Sequence, residues 1–223
     1  MGTRILDFRF GLIDLEGVIF NPGILYRREF GRFLQGRYNI SAKEALVFYQ
    51  AHEALPLEGK FDRLLAQHGC PPGEAAEAVT AFRTSVAASR PVVSEGAREI
   101  LEILVSREAQ LFALSEAESR IADVKIQEAE LRNVFGHMIG TEHAPRGRGQ
   151  IAFCGDVVGL PLEAFAGQSF VLASSPEDVV AAREIGFYSI GIAHLFPEDA
   201  LKAHGAHEVY RHIAHLSLHL RHA

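Results

Sequence analysis

The chain has 223 residues, 48% of them hydrophobic and 22% charged, which is enough apolar material for one sizeable core and a smaller subdomain. With 22 Lys and Arg against 28 Asp and Glu the net charge is −6, and no cationic block stands out; nucleic acid and anionic membranes, both bound through clustered cations, are therefore not expected as partners. Cys70 and Cys154 lie far apart and form no Cys-x-x-Cys pair, no apolar run reaches the roughly 20 residues of a membrane span, and no signal-peptide layout is seen, so a reducing cytoplasm is the expected location.

Phe8 to Phe20 reads FRFGLIDLEGVIF, an apolar run broken by acidic residues and a glycine, as in a buried parallel strand ending in a functional loop. Asn21 to Arg90 reads as all-helical. The spacing predicts helices over Ser41 to His52 and Gly73 to Ala88, with breaks at Pro56-Leu57-Glu58-Gly59 and Cys70-Pro71-Pro72-Gly73. Ser41 followed by Glu44 is a capping-box start.

After Pro91 helices and strands alternate: a helix over Glu95 to Ser106, a strand over Gln110 to Leu114, a helix over Glu118 to Leu131 and a strand over His137 to Gly140. A helix near Gln150 to Val157, a strand over Ser169 to Ala173, a helix over Pro176 to Ile185 and a strand over Tyr188 to Ala193 follow. This alternation predicts βαβ units and a parallel sheet with its ligand at the carboxyl ends of the strands. The chain is thus read as one α/β core (1–21 and 91–223) interrupted by a helical insert (22–90). Five of 11 histidines, His207, His212, His215, His219 and His222, crowd the C-terminus and read as solvated positions on a last helix rather than a metal site.

Three strand ends carry polar groups suited to chemistry: Asp14 and Glu16 after the first, Ser115 after the second, and Ser174, Ser175, Glu177 and Asp178 after the fourth. Two acids two residues apart on a strand end are expected to point the same way, one to attack and one to handle protons, and Gly17 lets a ligand approach the backbone. Ser115 with Glu118, and Ser175 with Pro176 and Asp178, also match helix N-terminal caps, and both readings stand at this point.

Together these positions resemble the haloacid dehalogenase superfamily, over nearly the whole chain. The family's first motif, Asp-x-Asp-Gly-Thr or -Val, corresponds to Asp14-Leu15-Glu16-Gly17-Val18. Its second, a strand ending in Ser or Thr, corresponds to Leu111 through Ser115, and its fourth, Val-Gly-Asp-Ser-x-x-Asp, to Leu172 through Asp178 with Ala181-Ala182 and Gly186 trailing. The resemblance implies a Rossmann-like parallel-sheet core with an inserted α-helical cap. It further implies Asp14 as nucleophile, Glu16 as acid and base, Ser115 with Glu116 at the transferred group, and Mg²⁺ held by Asp14, the Glu16 carbonyl and the Ser174 position, with Asp178 or Glu177 to compensate for the serine.

Three family positions differ here. Glu16 replaces an aspartate, Ser174 replaces a metal carboxylate and weakens the Mg²⁺ site, and Ala144-Pro145 stands where the family has Lys-Pro. Lys125 sits mid-helix and too early to replace that lysine, which leaves Arg146 or Arg148 to bind an anionic substrate or to lie on a surface loop. In the cap, Tyr26, Arg27, Arg28 and Arg32 are either anion contacts or the polar face of a helix. The implied activity is phosphatase-type hydrolysis of a small-molecule phosphate. The alternatives are a catalytically impaired binding or regulatory protein of the same fold and a metal-free dehalogenase; a homo-oligomer is left open.

Overall fold

A computed structural model describes residues 4–52 and 55–221, which divide into two compact units, Met1–Asn21 with Pro91–Ala223, and Pro22–Arg90. In the first, a 3₁₀ turn (Arg4–Asp7) leads into β1 (Phe10–Asp14), every residue of which is buried. Leu15 to Phe20 then fold into a tight loop closed by Gly17 N–H to Phe20 O (2.8 Å) and Phe20 N–H to Leu15 O (2.7 Å).

The second unit holds α1 (Pro22–Tyr38), α2 (Ala42–Ala51), α3 (Leu57–Gln67) and α4 (Glu74–Ala87). Ser41 caps α2 as its spacing predicts, accepting from the Glu44 amide at 3.2 Å. The predicted break at Pro56 to Gly59 is instead the start of α3. Proline is tolerated at a helix entrance, and Phe61, Leu64 and Leu65, one face of the following turns, supply the burial that outweighs Gly59. The core of this unit is aromatic, with Phe30, Phe61 and Phe82 fully buried at centroid distances of 5.0 to 6.0 Å.

The first unit continues with α5 (Ala97–Ser106), β2 (Gln110–Leu114), α6 (Ser119–Glu128), β3 (His137–Ile139), α7 (Arg148–Val157) and α8 (Leu162–Ala166). It ends with β4 (Ser169–Ala173), α9 (Pro176–Ile185), β5 (Tyr188–Ile192), α10 (Glu198–Ala203), β6 (Glu208–Tyr210) and α11 (Ile213–Arg221). The strands form one parallel sheet in the order β3-β2-β1-β4-β5-β6, so the chain reverses direction across the sheet between β1 and β4. Such a reversal leaves a crevice at the carboxyl ends of the two strands.

Each face of the sheet is covered. Ile13, Leu111, Ala113, Phe170 and Leu172 pack with buried residues of α5, α6 and α11, whereas Phe10, Leu12, Phe112, Val171 and Ala173 pack with those of α7, α8, α9 and α10. Strand parity gives Asp14 the same orientation as Leu12, toward the α7–α9 side. The short α8, α10 and β6 carry too little periodicity to stand out in the sequence. Among the described residues no helix is long and apolar enough to cross a membrane.

Candidate active site

Asp14 closes β1, and Ser115 and Ser174 are the first residues past β2 and β4 on either side of it. All three side chains are buried. The Ser174 hydroxyl donates to Asp14 Oδ2 at 2.6 Å and lies 2.9 Å from the Glu16 carbonyl oxygen. Burial, followed by the nearby charge of Asp178, pushes the Asp14 carboxyl up to about 8, against the opposing pull of Ser174 and Arg146.

Gly17 makes this closeness possible. Its φ is +92°, and a Cβ there would stand 2.6 Å from the Ser174 side chain. His194, just past β5, holds the same loop through Nδ1, 3.0 Å from the Gly17 carbonyl oxygen, a bond made by its Nδ1–H tautomer.

β1 ends at Asp14, so the alternation of strand side chains stops before Glu16 is reached. The Glu16 carboxyl accepts from Ser115 Oγ (3.3 Å) and the Glu116 amide (3.4 Å) and stands 3.9 Å from Lys125 Nζ. Burial raises its pKa, with Lys125 opposing. Lys125 therefore reaches the site despite its position in α6, because the length of its side chain covers the distance its backbone position does not.

Ser115 does not cap α6. That helix begins at Ser119, whose amide donates to the Glu142 carboxylate at 3.0 and 3.1 Å, while the Ser115 hydroxyl accepts from the Ala117 amide at 3.1 Å. Gln150, buried at the start of α7, donates to the Ser115 carbonyl at 2.9 Å and pins this loop. Ser175 does cap α9, accepting from the Asp178 amide at 3.2 Å, and its hydroxyl donates to Asp178 Oδ2 at 2.6 Å.

The two arginines separate. Arg148 lies on the surface, 3.7 Å from Glu184, and is not brought to the other predicted residues. Arg146 enters the site from the turn at Gly147 (φ +71°) and grips Asp178 with Nε at 3.4 Å and Nη2 at 2.8 Å. Its Nη2 is also 3.7 Å from Asp14 Oδ2, and Nη1 pairs with Glu116. A cavity lined by Asp14, Ser115, Arg146, Gln150 and Asp178 offers about 10 Å³ to water, room for roughly one molecule. In the helical unit Arg28 and Arg32 pair with Glu29 at 2.7 and 3.2 Å, Arg27 donates to the Gly23 carbonyl at 3.2 Å, and Tyr26 packs edge-on against Phe82.

The expected Mg²⁺ donors are Asp14, the Glu16 carbonyl, Ser174 and Asp178, and as arranged they do not fit that ion. Mg²⁺ needs near-octahedral oxygen ligands, with carboxylates free to turn toward it. Here the Ser174 hydroxyl sits between the two oxygens of Asp14 and Glu16, and both Asp178 oxygens accept from Arg146. Among the described residues no three His, Cys, Asp or Glu side chains converge on a point where they could hold a metal, the histidines near the C-terminus included. His222 lies outside the described residues.

No family model matches this sequence, and no curated protein does. Solved structures match it over nearly its whole length. A protein from Thermotoga maritima assigned as a β-phosphoglucomutase superposes with a TM-score of 0.69 at 18% identity, covering 96% of this chain and 99% of that one. The fold is that of the haloacid dehalogenase-like hydrolases. A HAD family hydrolase from Deinococcus radiodurans R1, solved with bound phosphate and sodium, matches at 0.65 and 20% identity over 95% and 94% of the two chains. A protein from Clostridium difficile assigned as a phosphatase gives 0.67 and 18% over 92% and 95%. At these identities the likeness is one of fold, and the haloacid dehalogenase-like fold leaves open which reaction its site performs.

Proposed function

We propose that this chain is a phosphatase-type hydrolase of a small-molecule phosphate, with Asp14 as nucleophile. The observation that carries the reading is the position of Asp14, at the end of the central strand where the sheet order reverses, with a guanidinium 3.7 Å from its carboxyl. An Asp14 oxygen attacks phosphorus, the ester P–O bond breaks, and the departing alkoxide takes its proton from the Glu16 carboxyl, whose raised pKa suits it to hold that proton. Glu16 then accepts a proton from water as the water attacks the aspartyl phosphate, releasing phosphate and restoring Asp14. Arg146 offsets negative charge beside the transferring group, and Ser115 with the neighbouring amides binds its oxygens.

The test is hydrolysis of an aryl phosphate by the wild type and by Asp14→Asn. Turnover should fall by roughly three orders of magnitude or more in the variant. In the wild type it should climb as pH rises through about 8, the range over which Asp14 ionises. Background rates across a panel of phosphate esters would remove the reading.

One observation favours a second reading, a binding protein of the same fold. Arg146 is held by Asp178 and Glu116 and lies beside Asp14, with room for about one water in the adjoining cavity. Calorimetric binding of inorganic phosphate by a chain that shows no turnover in the hydrolysis assay selects it.

A further inference from the structure

We infer that Arg146 and Ser174 take the place of a divalent metal at this site, so that the chain binds its anionic ligand without one. The inference rests on the reading of the Asp14 crevice as an anion site, whether or not turnover follows.

A metal at such a site supplies two things: it ties the nucleophile to the loop behind it, and it places positive charge against the incoming anion. Both are supplied by side chains here. Ser174 Oγ is 2.6 Å from Asp14 Oδ2 and 2.9 Å from the Glu16 carbonyl oxygen, so a fully buried hydroxyl sits against both of these expected donor oxygens and holds the nucleophile to the loop behind it. A hydroxyl carries one proton and no charge, and adds nothing to attract an anion.

The charge comes from Arg146. Its guanidinium spans Asp178, 2.8 Å from Nη2, and Asp14, 3.7 Å from the same nitrogen, and it pairs with Glu116 at the rim. Gly147, with φ +71°, turns the chain directly after it into α7, and Asp178 is itself fixed by the Ser175 hydroxyl at 2.6 Å. A guanidinium holds its charge at any physiological pH and offers a planar fork that matches phosphate or carboxylate oxygens. The partly exposed rim partner, Glu116, is the one an arriving anion displaces most easily, because the other two carboxylates are buried.

The experiment is calorimetric titration of the full chain with inorganic phosphate, in Mg²⁺ and in EDTA, together with thermal melts in Mg²⁺ alone. Phosphate should bind with the same affinity in both buffers, and Mg²⁺ alone should leave Tm unchanged. Arg146→Ala should weaken phosphate at least about tenfold. Because that variant leaves carboxylates unpaired, Ser174→Asp with Arg146→Ala provides a second arm: it restores a carboxylate, removes the guanidinium and should gain a Mg²⁺-dependent rise in Tm. Two results overturn the inference. One is a Mg²⁺-induced rise in wild-type Tm that Asp14→Asn abolishes; the other is phosphate binding that is absent in EDTA or in every buffer. Loss of turnover with phosphate binding intact would instead remove only the hydrolase reading.

Discussion

Asp14 combines a buried carboxyl, a hydroxyl donor and a guanidinium within a few ångströms, and the balance among them governs its protonation. Burial dominates and lifts the group from 3.8 to about 8. Between those values the unfolded chain gives up the Asp14 proton while the folded one keeps it, so each pH unit favours unfolding by up to about 1.4 kcal/mol. Stability from this group is therefore complete below 3.8 and is lost as pH rises through about 8. Asp14→Asn, which cannot ionise, should melt above the wild type by a wider margin at about pH 8 than at about pH 5. Equal margins in paired thermal melts would mean that Asp14 does not keep its proton in the fold. Asp14 and the serines beyond the neighbouring strands were legible because each follows an apolar strand-like run. The reach of Lys125 and the division between Arg146 and Arg148 were not, since side-chain direction in a loop depends on residues far away in sequence.

Among the elements, the loop from Leu15 to Phe20 decides how the strand end is used. It turns at Gly17, whose φ of +92° few side chains tolerate and whose missing Cβ admits Ser174. Gly17→Ala should cost about 1–3 kcal/mol in urea unfolding through strain and the clash with Ser174. It should also part Ser174 from Asp14; a change below about 0.5 kcal/mol would mean the loop adapts freely. The loop also takes Glu16 beyond the end of the strand. A period of two holds only while the chain remains a strand, and β1 stops at Asp14. The cap expected at Ser175 formed, because Ser, Pro and Asp at that spacing satisfy helix amides locally. The one expected at Ser115 was displaced by Glu142, 23 residues from the Ser119 amide it accepts from.

At the scale of the molecule, two units with separate apolar cores share one chain, and the helical unit has its own aromatic cluster. Phe82 is fully buried there against Phe30, Phe33 and Phe61. Phe82→Ala should remove about 3–5 kcal/mol from that unit through lost burial and the cavity left behind. Hydrogen exchange should then show protection falling in α1 to α4 before it falls in the central strands. Uniform loss across both units would indicate a single cooperative fold.

By itself the sequence determined the alternation of strands and helices after Pro91, the all-helical stretch from Asn21 to Arg90 and the strand end that carries Asp14. These follow from the periodicity of apolar residues, a property of neighbours along the chain. Only the tertiary structure decided that Ser174 closes on Asp14 and Glu16, that Arg146 rather than Arg148 enters the site, and that Lys125 reaches Glu16. Those contacts join residues 32 to 160 positions apart, and they depend on strand order and loop shape, which local pattern does not encode. For that reason the sequence led to a weakened magnesium site, whereas the folded chain sets a guanidinium and a hydroxyl among the same carboxylates.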